Sequence, residues 1–244
     1  MCTASWIVRD RDYRLYFNRD EQKSRGRAEE PRVQSVEGRE VVAPVDVQGG
    51  GSWIAVNEMG LTVFLLNNYA EGTVARQDVE YRSRGELPIL LASRSRLADA
   101  LDELRNRDLS VYRPFFLGLI APSSGCVIYE WEGEVLEQCA PGIPFLTTSS
   151  YRSREVEDYR RRRFLETVCA EDGKEDSDGS LRFHLDQSHE DAAFNPFMSR
   201  DDAETHCISV IEVNPASVRY EYHNRVPGAN DLQPAKCLSI ARKG

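Results

Sequence analysis

Met1-Cys2-Thr3 opens the chain, and Tyr16-Phe17-Asn18-Arg19-Asp20-Glu21 follows it at the distance of one β-hairpin. Between them, Ser5 to Val8 and Tyr13 to Phe17 are short apolar-rich runs separated by a charged turn, which is a hairpin pattern. Methionine aminopeptidases usually remove an initiator Met that precedes a residue as small as Cys. Cys2 would then carry both a thiol and a free α-amine. A thiol ionises near pH 8.5 and an α-amine at about 7.7–8.0, so one can take the other's proton around neutrality. That pair is a self-contained nucleophile and base, and a buried Arg19–Asp20 pair close by would tune both groups. Position alone supports the plainer reading, an incidental Cys in a disordered terminus. The later motifs shift the balance.

Further blocks follow in a fixed order: Gly50-Gly51-Ser52-Trp53-Ile54, Asn57-Glu58-Met59-Gly60-Leu61, Leu66-Asn67-Asn68-Tyr69 and Ser83-Arg84-Gly85-Glu86-Leu87. With the two opening motifs they resemble the NRDE-motif family, also called the transport and Golgi organisation family. More distantly the chain is similar to the choloylglycine hydrolase and penicillin V acylase group of N-terminal-nucleophile hydrolases. The matching blocks cover roughly the first hundred residues; beyond Leu97 only the general pattern agrees.

The resemblance implies a four-layer αββα sandwich of the α+β class, with two mainly antiparallel sheets stacked and helices outside. It implies that Cys2 is the nucleophile, that Asp20 holds the α-amine and that Arg19 sits against the sulfur. Asn68, or its neighbour Asn67, stands where the acylases carry an oxyanion donor. Removing one such donor typically costs about 10²–10³ in rate. A doubled Asn after an apolar strand is equally an ordinary turn signal. A second Asn of the acylases has no counterpart here. Phe145 to Ser150 matches that segment, and Thr148 stands there with a hydroxyl that is less firmly positioned. Asn67, Trp53, Thr148 and Arg84 are the residues expected to line the substrate pocket. An arginine that the acylases carry late in the chain has no matched position.

Strand alternation would send the side chains of Arg19 and Asp20 to opposite faces. Cooperation of the two at one site therefore requires a turn or bulge within Asn18 to Glu21. The plain alternative is a surface Arg–Asp pair in a hairpin turn, worth about 0–1 kcal/mol.

Composition fits one domain spanning 1–244: the chain has 244 residues and 41% apolar content, enough for a sizeable core. A net charge of −9 argues against nucleic acid, whose backbone selects a basic footprint, and against an anionic membrane surface. No apolar run approaches a membrane span, and Ile7-Val8 gives way at once to Arg9-Asp10, unlike a signal peptide. A soluble cytoplasmic protein is expected. Cysteines 2, 126, 139, 169, 207 and 237 show no CxxC spacing and read as free thiols.

Gln22 to Glu40 is polar and reads as a long loop, of the kind that flaps over a pocket. Trp53 to Val56 and Leu61 to Leu66 form a second hairpin around Asn57 to Gly60. Helical periodicity begins near Arg84, with Leu87, Leu90 and Leu91 on one face, and resumes through Leu97, Leu101 and Leu104. Strands are expected at Phe115 to Ala121, Val127 to Trp131, Val135 to Cys139, His206 to Val213, Val218 to His223 and Lys236 to Ala241. A charged helix is expected from Ser153 to about Cys169, and a solvated loop over Glu171 to Gly179. Strands, helices, strands, a helix and strands again suit two stacked sheets with helices outside.

Other motifs have structural readings. Gly49-Gly50-Gly51 lacks the lysine and hydroxyl of a phosphate loop and reads as a flexible approach to Trp53 near the pocket. Arg160 to Arg163, interleaved with Glu155, Glu157, Asp158 and Glu166, reads as a salt-bridged solvent face. Asp172, Asp176 and Asp178 fail as a calcium loop, because Lys174 and Phe183 occupy ligand positions. His206 and Cys207 are adjacent in a strand and face opposite ways; the other histidines show no ligand spacing. Neither a metal nor another cofactor is expected.

Two functional classes remain. One is an amidase-like enzyme, in which Cys2 attacks a non-peptide carbon–nitrogen bond of an N-acyl amide and water releases the acyl group. The other is a binding or carrier protein that holds a hydrophobic small molecule in the same pocket, with the trafficking or lipid-related role that the family's link to Golgi organisation implies. The missing second Asn favours the carrier. Relatives in the acylase group often assemble, so the resemblance leaves a homo-oligomer open, but no exposed apolar stripe names an interface.

Overall fold

The structure is a computed structural model that describes residues 1–69, 80–168 and 177–243. The first hairpin joins β1 (Cys2–Arg9) to β2 (Asp12–Gln22) through a tight turn at Asp10, whose φ is +37°. Cys2 to Trp6 and Leu15 to Asp20 are buried without interruption. A strand covered on one face would alternate; these two are covered on both. Their Trp6, Leu15 and Phe17 face a second sheet, while Ser5, Tyr16 and Asn18 face helices.

The chain continues through β3 (Glu29–Val36), β4 (Arg39–Val45), β5 (Ile54–Asn57) and β6 (Thr62–Asn67). Two helices follow, α1 (Glu86–Ala92) and α2 (Leu97–Arg105). Next come β7 (Phe115–Ala121), β8 (Gly125–Trp131), β9 (Leu136–Cys139) and β10 (Phe145–Thr148). The helices α3 (Ser153–Val168) and α4 (Ser177–His184) precede the last strands, β11 (Ala203–Val213), β12 (Ser217–Asn224) and β13 (Lys236–Ala241).

The strands form a six-stranded sheet, β10-β1-β2-β11-β12-β13, and a seven-stranded sheet, β3-β4-β5-β6-β7-β8-β9, with all pairings antiparallel. Their facing sides bury Ala4, Trp6, Leu15 and Phe17 against Val42, Ile54, Val56, Phe64 and Leu66. Leu87, Leu91 and Leu104 of α1 and α2 cover the outside of the seven-stranded sheet at Val63, Leu65 and Leu117. On the other side, α3 and α4 cover the six-stranded sheet through Phe164, Val168 and Phe183, packed on Phe145 of β10. The order is helices, sheet, sheet, helices, the αββα sandwich.

The hairpin β5–β6 turns on Asn57. Its side-chain oxygen accepts from the backbone of Met59 and Leu61, and its amide donates to the carbonyls of Ala92 and Arg94 at the end of α1. Gly60 holds φ +81° there, a conformation that costs glycine little.

Three expectations are corrected. Gln22 to Glu40 is not a flap: most of it is the β3–β4 hairpin, whose Val36 and Val41 pack with the α1–α2 core while Glu29, Glu30 and Arg32 are exposed. No bulge interrupts β2 between Asn18 and Glu21. The irregularity lies in its neighbour, between Thr205 and Cys207 of β11. The third concerns Glu171 to Gly179: residues 171–176 lie outside the described residues, and the chain is helical from Ser177. Cys169 lies outside them too. Among the described residues, no helix is long and apolar enough to cross a membrane.

Candidate active site at the head of the first strand

Cys2 starts β1 and is paired on both sides, with Arg19 of β2 and with Thr148 of β10. Residues directly opposite in antiparallel strands project to the same face. Arg19, Cys2 and Thr148 therefore form one row on the side that faces the second sheet. Cys207 of β11 extends the row beyond Arg19. The backbone N–H of Asp20 donates to the Cys2 sulfur. Thr148 is 2% exposed and its hydroxyl has no partner among the described residues, which leaves a donor beside the thiol.

The reverse face carries the chain neighbours of that row. Asp20, Thr3 and Thr147 all point toward α3, where one guanidinium meets them. Arg160 Nη1 donates to Asp20 Oδ2 at 3.2 Å, to Thr3 Oγ1 at 2.9 Å and to Thr147 Oγ1 at 3.3 Å. Its remaining nitrogens donate to the carbonyls of Phe194 and Asn195. Thr205 completes the Asp20 carboxylate with a 2.7 Å bond to Oδ1. Arg160 is 0% exposed, so the solvent-face reading of Arg160 to Arg163 is corrected for this residue. Arg161 and Arg162 are exposed, and Arg163 pairs with Glu166 and Asp186.

Arg19 lies 4.3 Å from the Trp53 ring centroid. Its Nη2 donates to Asp46 Oδ2 at 3.1 Å, whereas Nη1 is buried without a partner among the described residues. Asp46 also binds Arg25 at 2.7 Å and accepts from the backbone of Gln48 and Gly49. Burial would raise its pKa, but the Arg25 and Gly49 hydrogen bonds and the charges of Arg19 and Arg25 hold it below the usual carboxylate value. The wall beyond is set by Gly51, which runs against Gly85: a Cβ there would stand 2.3 Å from the Gly85 carbonyl carbon.

These groups open on a cavity of about 470 Å³, lined by Cys2, Arg19, Asp46, Trp53, Asn67 and Arg84 among others. Small-molecule sites fall in this size range, about 300–1,000 Å³. Asn67 points its amide at the Tyr69 hydroxyl, 3.0 Å away. Asn68 takes the other direction, because successive residues at a strand end diverge. Its amide donates to Glu130 at 2.8 Å and lines a separate cavity of about 510 Å³. Asn67, not Asn68, thus shares a cavity with Cys2.

Met1 fills part of the same space. It is 7% exposed, packs with Met198 and Ala203, and donates from its ammonium to the Tyr69 hydroxyl at 2.9 Å. With Met1 in place, burial pushes the Cys2 thiol up to about 11, against the opposing pull of the N-terminal ammonium.

A second constellation has the residue types of a catalytic triad but is sealed from solvent. Ser5 Oγ lies 2.8 Å from His184 Nε2, and His184 Nδ1 lies 2.7 Å from Asn18 Oδ1. All three residues are at most 1% exposed, so no substrate reaches them. Burial, with Arg160 nearby, pushes the imidazole pKa down to about 3 and keeps it neutral. Among the described residues, no group of three or more His, Cys, Asp or Glu is placed to hold a metal ion.

The sequence profile of the Transport and Golgi organisation 2 family matches residues 1–224. The chain belongs to that family. No curated protein matches the chain. Solved structures share the family member's fold at low identity. Penicillin V acylase from Agrobacterium tumefaciens superposes with a TM-score of 0.58 at 11% identity, over 92% of this chain and 83% of its own. The C2A mutant of conjugated bile acid hydrolase from Clostridium perfringens gives 0.54 at 13%, over 99% and 92%. The N-acylethanolamine-hydrolyzing acid amidase ortholog of Caenorhabditis elegans gives 0.57 at 11%, over 85% and 92%. The fold is that of the N-terminal-nucleophile hydrolases.

Of the site residues read from sequence, Cys2, Arg19, Trp53, Asn67 and Arg84 line one cavity, as does Asp20. Thr148 stands beside Cys2 in the sheet, and Asn68 lies apart. Sequence reasoning missed Asp46, Thr205 and Arg160. Only Arg160 left a signal: Val156, Arg160, Phe164 and Val168, the buried residues of α3, recur every four positions.

Proposed function

We propose that this protein is an N-terminal cysteine amidohydrolase acting on a non-peptide N-acyl amide. The observation that carries the reading is the row Arg19–Cys2–Thr148, fixed by strand pairing, with Cys2 and Arg19 at the wall of the 470 Å³ cavity. Strand-borne groups are held more firmly than loop-borne ones, which suits a nucleophile. The likeness in fold to a penicillin V acylase and to an N-acylethanolamine-hydrolyzing acid amidase ortholog supports the same class of reaction.

Removal of Met1 frees the α-amine of Cys2 and clears the space that Met1 occupies. The amine accepts the thiol proton, and the sulfur attacks the amide carbon. Oxygen takes up the negative charge as the tetrahedral intermediate forms. The Thr148 hydroxyl, which has no partner among the described residues, and the Asn67 amide are the donors assigned to it. As the carbon–nitrogen bond breaks, the Cys2 ammonium returns its proton to the departing amine and leaves a thioester. Water, deprotonated by the same α-amine, then attacks the thioester; the carboxylic acid departs and the thiol is restored. Asp20, clamped by Arg160 and Thr205, stabilises the ammonium formed in both halves. Arg19, in the same row, favours the thiolate with its positive charge.

The test is a panel of N-acyl amides offered to the Met1-free protein and to Cys2→Ala. Turnover by the first, with an acyl group trapped on Cys2 in the mass spectrum, supports the reading. Equal turnover by Cys2→Ala contradicts it.

A further inference from the structure

The cavity at Cys2 is strongly basic in a chain whose net charge is −9. Five arginines line it, at positions 19, 25, 82, 84 and 113, against three carboxylates, Asp20, Glu21 and Asp46. The carboxylates are already engaged. Asp46 binds Arg19 and Arg25, Glu21 lies 3.4 Å from Arg19 and 3.7 Å from Arg25, and Asp20 is turned to Arg160. Arg82 pairs with Glu86.

Arg84 and Arg113 are different. Arg84 is half-buried and donates Nη1 to the Pro114 carbonyl at 2.7 Å, a neutral partner. Arg113 is exposed and lies over the Tyr81 ring, 5.3 Å from its centroid. Neither has a carboxylate within ion-pair distance among the described residues. Burial lowers the Arg84 pKa, and the like charge of Arg113 adds to that effect. Deeper in, Arg19 is 4% exposed and its Nη1 has no partner among the described residues. Partial burial of the Arg84 guanidinium without a counter-charge is unfavourable, and an arriving anion offsets the cost. Forked guanidinium donors match a carboxylate or phosphate.

We infer that the ligand of this cavity is an anion, whose carboxylate or phosphate group is held by Arg84 and Arg113 while its other end reaches Cys2 and Arg19. The identity of that other end as an amide carbonyl rests on the function proposed above; the charge of the ligand does not.

Alkylation of Cys2 by iodoacetate and by iodoacetamide tests the inference, because the two reagents differ in charge at nearly equal size. In the Met1-free protein, the iodoacetate-to-iodoacetamide rate ratio at Cys2 is expected to exceed that at the exposed Cys237 of the same molecule about tenfold or more. The excess should shrink in concentrated salt and fall severalfold in Arg84→Gln and Arg113→Gln. A ratio at Cys2 no higher than at Cys237 overturns the inference. If Cys2 reacts with neither reagent, the catalytic reading fails, and the ligand charge is read instead from binding. For that arm, Cys2→Ser protein is melted with N-benzoylglycine, its uncharged carboxamide and phenyl phosphate. A rise in Tm with either anion but not with the carboxamide, lost in Arg84→Gln, sustains the inference, and the better anion distinguishes carboxylate from phosphate. Equal shifts with all three, or none, overturn it.

Discussion

Arg160 Nη1 reaches Asp20 Oδ2 at 3.2 Å through the outer face of the six-stranded sheet, with both side chains wholly buried. The same nitrogen holds the hydroxyls of Thr3 and Thr147. Asp20, Thr3 and Thr147 are the chain neighbours of Arg19, Cys2 and Thr148. One helix side chain thus fixes the strand ends that present Cys2, although it touches none of the three residues of the row.

Replacing Arg160 with Met leaves a buried carboxylate without its counter-charge. Loss of one partner of a buried pair costs about 3–5 kcal/mol. Urea unfolding of Arg160→Met should show a loss of that order. Asp20→Asn in the same background should recover part of it, because the unpaired charge is gone. A loss below about 1 kcal/mol would mean that Arg160 does not clamp the strand ends.

The buried Ser5–His184–Asn18 chain makes a pH prediction. His184 titrates at about 3 in the fold and near 6.5 as a free side chain. Between those values the unfolded chain binds a proton that the native imidazole refuses. Its contribution to stability is therefore complete above about pH 6.5 and is lost as pH falls toward 3, by up to about 1.4 kcal/mol per pH unit. His184→Gln should unfold with a shallower acid dependence than wild type over about pH 4–7. Parallel curves would show that His184 is not held neutral.

Gly51 and Gly85 allow two backbones to touch at the cavity wall. In Gly51→Ala the new methyl meets the Gly85 carbonyl group at 2.3–2.4 Å, and backbone cannot turn aside as a flexible side chain would. Overpacking of this kind costs about 1–3 kcal/mol. Denaturant titration should register that loss together with a changed alkylation rate at Cys2. A variant equal to wild type in both would contradict the described approach.

How far the sequence disclosed this arrangement depended on what each residue's environment required. The β1–β2 hairpin, the Asn57–Gly60 turn and the strands β7, β8, β9, β11, β12 and β13 were legible because apolar runs and turn residues report local geometry. The β3–β4 hairpin was not, since its charged exposed positions dilute the alternation that marks a strand. The relation of Arg19 to Asp20 was framed correctly by alternation and resolved in an unforeseen way. Both side chains serve the site from opposite faces, because Asp20 contributes its backbone N–H to the thiol and its carboxylate to α3. Composition hid Arg160 among three neighbouring arginines, and only its four-residue spacing from Val156 and Phe164 set it apart. Asp46 acts across 27 residues from Arg19, a contact that no local pattern encodes.

Retention of Met1 should silence the thiol. Protein purified with an aminopeptidase inhibitor, keeping Met1, should alkylate at Cys2 only as pH approaches about 11, the value that burial imposes there. The Met1-free form should reach its plateau below about 8.5, since thiolates next to positive charge form at lower pH. Identical pH profiles would remove Met1 from any part in controlling Cys2.

The most direct measurement is the intact mass of the purified protein, followed by peptide-mapped iodoacetamide labelling at pH 7. The account predicts that Met1 is absent and that Cys2 labels far faster than Cys126, Cys139, Cys207 and Cys237. A Cys2 that has lost Met1 and still reacts no faster than the exposed Cys237 would contradict it.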